Sequence, residues 1–225
     1  MIIITGASKG LGKAIAERLS NKGETVVGLA RSACSTQIES IKCDVCDYNS
    51  IKQASREIKK MKKPVKTFIN AAGVASMNMA VTTNNLTVQK LIQTNLVGTI
   101  YCSQLFAPIM LRQKYGSFIN FSTIAVSLGL KGESVYAASK AGVESFSRTF
   151  AREMADFNVR VNCIAPGPIR TDLLRRITDT QIEKITSQQV IQKQFQKSDV
   201  CDLVELLLDE KATSLSGQVL NVGGV

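Results

Sequence analysis

The 225-residue sequence predicts an α/β protein: one domain built on a doubly wound, mostly parallel sheet of about seven strands, with helices on both faces. Three observations carry that prediction. Short apolar runs alternate with amphipathic stretches along the whole chain, the pattern of repeated βαβ units. A glycine-rich turn, Thr5-Gly-Ala-Ser-Lys-Gly-Leu-Gly12, separates the first apolar run from the first amphipathic stretch. The composition, 44% hydrophobic and 20% charged, is that of a folded chain short enough for a single core.

Taken in order, residues 2–5 read as a buried strand and 11–19 as a helix. Residues 25–30 form a second strand and 38–43 a weaker third. A helix over 49–61 leads to a strand at 67–70, which closes into Ala71-Ala72-Gly73. One long helix is expected over 88–112, a strand over 117–122 and a helix over 136–155. The strand at 159–165 stops at Pro166-Gly-Pro168, and a helix at 198–209 and a strand at 218–221 complete the order. In such a sheet ligands gather at the carboxyl ends of the strands. Residues 5–12, 30–32, 70–73, 122–126 and 166–172 should therefore open onto one crevice.

The sequence contains no histidine. A Ser-His-Asp or Cys-His hydrolase is excluded, and so is a zinc site with imidazole ligands. Of the six cysteines (Cys34, Cys43, Cys46, Cys102, Cys163, Cys201), only Cys43 and Cys46 have metal-ligand spacing, and no second pair completes a site. They are read as packing residues, and no metal is called for. No apolar run is long enough for a leader or a membrane span, so a cytoplasmic protein with reduced thiols is expected.

Glycines at 6, 10 and 12 let the backbone turn tightly and approach a ligand, and the following helix offers free N–H groups to a pyrophosphate. Gly6, Ser8, Lys9, Gly10, Leu11 and Gly12 are thus the expected cradle of a dinucleotide. The second strand ends Gly28-Leu-Ala-Arg-Ser32, without the carboxylate that usually holds the ribose 2′-hydroxyl of NAD. Arg31, with Lys9 nearby, suits a 2′-phosphate instead, so NADP(H) is expected over NAD(H).

Without histidine, proton transfer falls to another group. Tyr136 has a lysine four residues on, Lys140, on the same helical face. The ammonium should lower the phenol's pKa toward the working range and make Tyr136 a general acid or base.

With the hydroxyls of Ser122 and Thr123 at the preceding strand's end, the chain resembles the short-chain dehydrogenases/reductases. It is most similar to their 3-oxoacyl-acyl-carrier-protein reductase-like members. The motifs run nearly end to end: Thr5-Gly-x-x-x-Gly-x-Gly12, Asp44-Val45, Asn70-Ala-Ala-Gly73, Asn95 in Thr94-Asn-Leu-Val-Gly98, Tyr136-x-x-x-Lys140 and Pro166-Gly-Pro-Ile-Arg-Thr171. Residues 215–224 also look like the family's last strand and tail. The resemblance implies a Rossmann fold in which Tyr136 is the acid/base and Lys140 holds the nicotinamide ribose. Asn95 would anchor a water that relays protons to Lys140, and Asp44 and Val45 would meet the adenine. Asn70, Ala71, Ala72 and Gly73 would line the adenosine ribose and stabilise the central strands. Ile169 and Thr171, with Pro166 and Gly167 of the same turn, would hold the nicotinamide carboxamide. Thr123 stands where the family's substrate-orienting serine is usual, keeping the hydroxyl and adding a methyl group. Ser122 is the alternate donor, although neighbouring strand residues point to opposite faces.

The implied reaction is NADPH-dependent reduction of a ketone to a secondary alcohol, with an acyl-carrier-linked 3-oxoacyl substrate first in line. A free small ketone, quinone or alcohol is the enzymatic alternative, and an NADPH-sensing regulator the non-enzymatic one. Residues 172–197 correspond to the family's variable lid. Leu173, Leu174, Ile177, Ile182, Ile185, Val190, Ile191 and Phe195 could line a pocket there or form a helix's own apolar face. Lys114, Arg170, Arg175 and Arg176 are candidates for docking an acidic carrier. The Ala-, Ser- and Gly-rich stretch 136–150 resembles the helix through which family members form dimers and tetramers. A homotetramer or homodimer is expected, with neither nucleic acid nor membrane as partner. Residues 52–66 hold seven basic residues and one acid, +6 of the net +10, at the end of the sheet opposite the crevice. They read as a solvated face.

Overall fold

The computed structural model describes residues 1–171 and 178–225. Seven parallel strands form one sheet in the order β3-β2-β1-β4-β5-β6-β7. The strands are β1 (Ile2–Thr5), β2 (Val26–Ala30), β3 (Glu39–Lys42), β4 (Thr67–Asn70), β5 (Gly116–Phe121), β6 (Val159–Ala165) and β7 (Val219–Asn221). The helices are α1 (Gly10–Asn21), α2 (Tyr48–Lys60), α3 (Asn85–Leu91), α4 (Gly98–Gln113), α5 (Ala125–Leu128), α6 (Ser134–Met154), α7 (Asp179–Thr186) and α8 (Lys197–Leu208). This is the doubly wound Rossmann arrangement predicted from the alternation.

Period-two alternation along each strand sends its apolar side chains to two cores. The register pairs Ile3 with Val27 and Phe68, Phe68 with Phe118, and Phe118 with Val161. These residues share one face and pack with α2, α4 and α6 through Ile51, Phe106 and Phe150. The Phe68 and Phe106 rings lie 4.5 Å apart, and those of Phe118 and Phe150 5.2 Å. Ile2, Ile4, Ile69, Ile119 and Ile164 take the other face, under Ile15 and Leu19 of α1 and Val200, Val204 and Leu207 of α8. A polar seam crosses the first core. Asn70 donates to Asn120 at 2.8 Å, and Asn120 to Ser147 of α6 at 2.8 Å. A buried amide pair fully bonded in this way holds the carboxyl ends of β4 and β5 in register with α6.

The expected long helix over 88–112 is instead three pieces. Between α3 and α4, residues Ile92–Val97 form a wider π-helical turn. Such turns occur mostly at functional sites, and this one holds Asn95, fully buried. The segment over 178–196 carries α7, which opens on a capping box between Thr178 and Gln181 and buries Ile182 and Ile185. Phe195 is buried too, while Val190 and Ile191 are exposed; Leu173, Leu174 and Ile177 lie outside the described residues.

Candidate active site

The carboxyl ends of β1 and β4 are tied where a ligand would enter. The Thr5 hydroxyl accepts the Ala72 N–H at 3.0 Å, so the glycine turn and the Ala71–Gly73 turn lie back to back. The glycines serve distinct purposes. A Cβ on Gly6 would stand 2.8 Å from the Ala72 Cα, and one on Gly12 2.5 Å from the Gly6 carbonyl oxygen. Gly10 has φ +62° and open space beside it. Lys9, the residue before α1, makes no side-chain capping bond. The helix therefore meets the crevice with uncapped N–H groups and its positive dipole end, an anion site in waiting. Ser8 and Leu11 are half-buried in this turn and Lys9 is exposed. Arg31 is exposed just past β2, and neither Lys9 nor Arg31 makes an ion pair among the described residues.

Further along the crevice, the Asp44 carboxylate accepts the Cys46 N–H at 2.9 Å, and its own N–H donates to the Ser50 hydroxyl. Val45 is buried against Gly98, where a Cβ would come 2.9 Å from the Val45 carbonyl oxygen. These positions offer a pyrophosphate donors, a 2′-phosphate two cations, and an adenine the β3 exit. A nicotinamide dinucleotide fits them.

The reactive candidates meet where β5 ends. The Ser122 N–H bonds the Ile164 carbonyl at 2.7 Å, and the Ile124 N–H the Pro166 carbonyl at 3.1 Å. These two bonds hold Thr123 beside the Pro166-Gly167-Pro168-Ile169 turn, in which Ile169 is buried and Thr171 half-buried. The choice between the two hydroxyls is decided by direction. Ser122 turns to α6 and donates to the Glu144 carboxylate at 2.6 Å, whereas Thr123 lies in hydrogen-bonding reach of the Tyr136 phenol. Tyr136 and Lys140 follow on one face of α6. The Lys140 ammonium is buried and donates to the Phe121 carbonyl at 2.8 Å. A Cβ on Gly73 would sit 3.5 Å from that ammonium and 3.4 Å from the Asn95 Oδ1. Asn95, Thr123, Tyr136, Lys140 and Gly73 therefore converge.

One expectation needs correction here. The phenol of Tyr136 is raised above its ordinary value, because burial disfavours the phenolate and Glu133, whenever it is ionised, adds a nearby negative charge; the Thr123 hydroxyl pulls the other way. Lys140 does not offset this, since its ammonium is turned to the Phe121 carbonyl. Burial lowers Lys140 itself to about 8. The Asn95 side chain is held on three sides. Its Oδ1 accepts the Val74 N–H, and its amide donates to the Val74 carbonyl and the Ser139 hydroxyl. The side chain thus fastens the strand exit of β4 to α6. The main-chain carbonyl of Asn95 accepts the Thr99 hydroxyl at 2.8 Å.

Of the docking candidates, Lys114 lies between α4 and β5, at the amino end of the sheet and away from the crevice. Helix α4 runs antiparallel to the strands, so its last residues cannot reach the strand exits. Arg170 is at the crevice but ion-paired with Asp179 at 2.5 Å, and Arg175 and Arg176 lie outside the described residues. Two positions escaped the sequence reading. Ser139 links the Tyr136 carbonyl to Asn95, and Glu133 is buried beside Tyr136. Their spacing from Tyr136, three residues to either side, was the available signal.

The fold and this cluster define an oxidoreductase of the short-chain type. The family model for short chain dehydrogenases matches residues 1–182, and the chain belongs to that family. Within it the chain is 3-oxoacyl-acyl-carrier-protein-reductase-like. It is 31% identical to the 3-oxoacyl-[acyl-carrier-protein] reductase FabG of Staphylococcus epidermidis, over 99% of this chain and 96% of the relative. The ligand-free aldohexose dehydrogenase of Thermoplasma acidophilum superposes with a TM-score of 0.89 at 29% identity, covering 99% of this chain and 92% of that one. ElxO with NADP bound gives 0.88 at 26% identity, covering 98% and 96%. Such relatives imply a nicotinamide cofactor. Among the described residues no helix is long and apolar enough to cross a membrane.

Proposed function

We propose that the protein is an NADPH-dependent reductase of ketones, with a 3-oxoacyl group on an acyl carrier as substrate. The observation that carries this is the convergence of Thr123, Tyr136 and Lys140 beside Gly73, at the crevice end of the glycine turn. Bound NADPH supplies a hydride to the carbonyl carbon. Tyr136 gives its phenolic proton to the carbonyl oxygen as that oxygen gains charge, and the Thr123 hydroxyl hydrogen-bonds the same oxygen. The raised proton affinity of the phenol suits an acid that must hold its proton until the oxygen becomes basic. Lys140 holds the nicotinamide ribose and returns a proton to Tyr136, with Asn95 fixing the floor beneath it. The exposed, unpaired Lys9 and Arg31 hold the 2′-phosphate, and Ile169 and Thr171 the carboxamide. ElxO, similar over nearly the whole chain, binds NADP, which supports that choice.

The whole chain acts as one domain, with the described part of the expected lid, residues 178–197, beside the substrate. All six cysteines are free, in keeping with a reducing, cytoplasmic setting. A free small carbonyl compound is the second reading, favoured by the likeness to an aldohexose dehydrogenase.

The deciding experiment is NADPH oxidation with free and carrier-linked 3-oxoacyl substrates and simple ketones. Tyr136→Phe should lower kcat by about 10²–10⁴-fold. Arg31→Ala should raise KM for NADPH and leave that for NADH unmoved. Wild-type rates in Tyr136→Phe, or an unchanged cofactor ratio in Arg31→Ala, would overturn the corresponding role.

A further inference from the structure

The face of α6 that bears Tyr136 and Lys140 extends one step further toward the crevice mouth. Glu133 directly precedes the helix, three residues before Tyr136, so its side chain and the phenol share that face. Only 9% of Glu133 is exposed. Its backbone is committed, the N–H to Leu130 and the carbonyl to Ala137 at 2.6 Å. Its carboxyl makes no hydrogen bond and no ion pair among the described residues. The carboxyl nevertheless acts electrostatically on the phenol. Its oxygens are not among the buried polar atoms sealed off without a partner, so they meet solvent, which a ligand can displace to bond them.

We propose that Glu133 is a specificity-determining residue whose carboxyl, in its acid form, donates a hydrogen bond to a second oxygen of the substrate, β to the reacting carbonyl. The site thereby selects β-keto esters and thioesters over simple ketones. The inference rests on Tyr136 as the proton donor and deepens that reading by naming the recognised pattern.

Two physical arguments favour the acid form. Burial, with no donor to stabilise the anion, raises this carboxyl above the ordinary range. An ionised Glu133 would also oppose loss of the Tyr136 proton, because two anions would then share one apolar pocket. Among the described residues the surrounding elements bring little counter-charge, Arg170 at the crevice being paired with Asp179. Tyr136 and Lys140 lie along its own helix, and Lys131 in the preceding turn is exposed. Gly132 abuts Met77 of the segment after β4, and Met77 touches Gln181 of α7; all three are uncharged. On α7 itself Asp179 and Glu183 face solvent, and Thr123 presents only a hydroxyl.

The test compares KM for ethyl 3-oxobutanoate with KM for cyclohexanone in wild type, Glu133→Ala and Glu133→Gln. The alanine variant should raise the ester-to-monoketone KM ratio by about tenfold, the worth of one hydrogen bond to a buried group. Glutamine keeps a neutral donor and should restore the ratio to within about twofold. In wild type the ester KM should climb as pH rises through the Glu133 titration, whereas Glu133→Gln should show no such climb. An unchanged ratio in Glu133→Ala, or glutamine behaving like alanine, overturns the role of Glu133 while Tyr136-dependent reduction persists. Reduction that survives Tyr136→Phe overturns the underlying reading and this inference with it. The small ester needs no carrier, so failure of the carrier-linked substrate leaves the outcome for Glu133 intact.

Discussion

Ser122 and Thr123 are neighbours with the same functional group and opposite surroundings. Ser122 is bonded to Glu144, which is also paired with Arg148 at 3.3 Å. Removing that hydroxyl leaves a buried carboxylate short of a donor, at about 1–3 kcal/mol. Ser122→Ala should therefore lower the melting temperature and leave kcat within about twofold, whereas Thr123→Ala should cut kcat about 10²-fold or more with little loss of stability. The reverse pattern in paired melting and turnover measurements would reassign the substrate hydroxyl. Lys140 makes a second prediction at this scale. Its ordinary value of 10.5 falls to about 8 in the fold, so its charged form costs about 3 kcal/mol below pH 8. The cost fades as pH rises from about 8 toward 10.5, because the unfolded chain then loses the same proton. Its bond to the Phe121 carbonyl returns about 1 kcal/mol. Lys140→Met should thus be more stable than wild type by about 2 kcal/mol at pH 7, and the gap should close by pH 10 in denaturant titrations. A gap that grows with pH contradicts the assignment.

Among the elements, α4 meets β3's exit through Gly98, whose absent Cβ leaves room for Val45. Alanine there gains about 1 kcal/mol of helix propensity. The clash with the Val45 carbonyl oxygen is against backbone and costs about 1–3 kcal/mol, so the clash wins. Gly98→Ala should destabilise the protein and raise KM for the cofactor, as a melt and a cofactor titration would read. The strands were legible because buried parallel strands are continuous apolar runs, and the glycine turn because glycine alone fits such close approaches. The π turn at Ile92–Val97 was not, since one extra residue per turn leaves the apolar pattern nearly unchanged. Helix α7 had a readable start in Thr178-x-x-Gln181, passed over because its apolar residues could equally have lined a pocket. Glu133 was missed because burial of a carboxyl depends on neighbours distant in the chain, such as the Met77 segment. The sense of the Tyr136 shift was misread for a related reason: spacing places Lys140 on the right face but says nothing about the carbonyl that captures it.

For the whole molecule, charge separates into two regions. The basic residues over 52–66 end α2 at the amino end of the sheet, where Lys66 pairs with Glu24 at 3.0 Å. Among the described residues, the crevice end keeps a few cations with specific positions, such as Lys9 and Arg31. Salt should accordingly weaken NADPH binding through those two residues without reference to the basic face. The half-buried residues of α4 and α6 include Leu105, Ile109, Ala141 and Phe146, beside the exposed Arg112, Arg148 and Arg152. We expect a homotetramer, or at least a dimer, by light scattering at micromolar concentration; a monomer would contradict it.

The strand order carries a consequence for how the chain acquires its shape. β1 is synthesised first yet lies between β2 and β4, and its Thr5 pairs with Asn70 far along the chain. The left half, β3-β2-β1, can assemble as soon as the first crossovers exist. The other edge of β1 must wait for β4, and the crevice cannot close its walls until β6 arrives. A nascent chain therefore exposes an apolar isoleucine edge until β4 has been made, the kind of edge that non-local parallel pairing leaves open to aggregation.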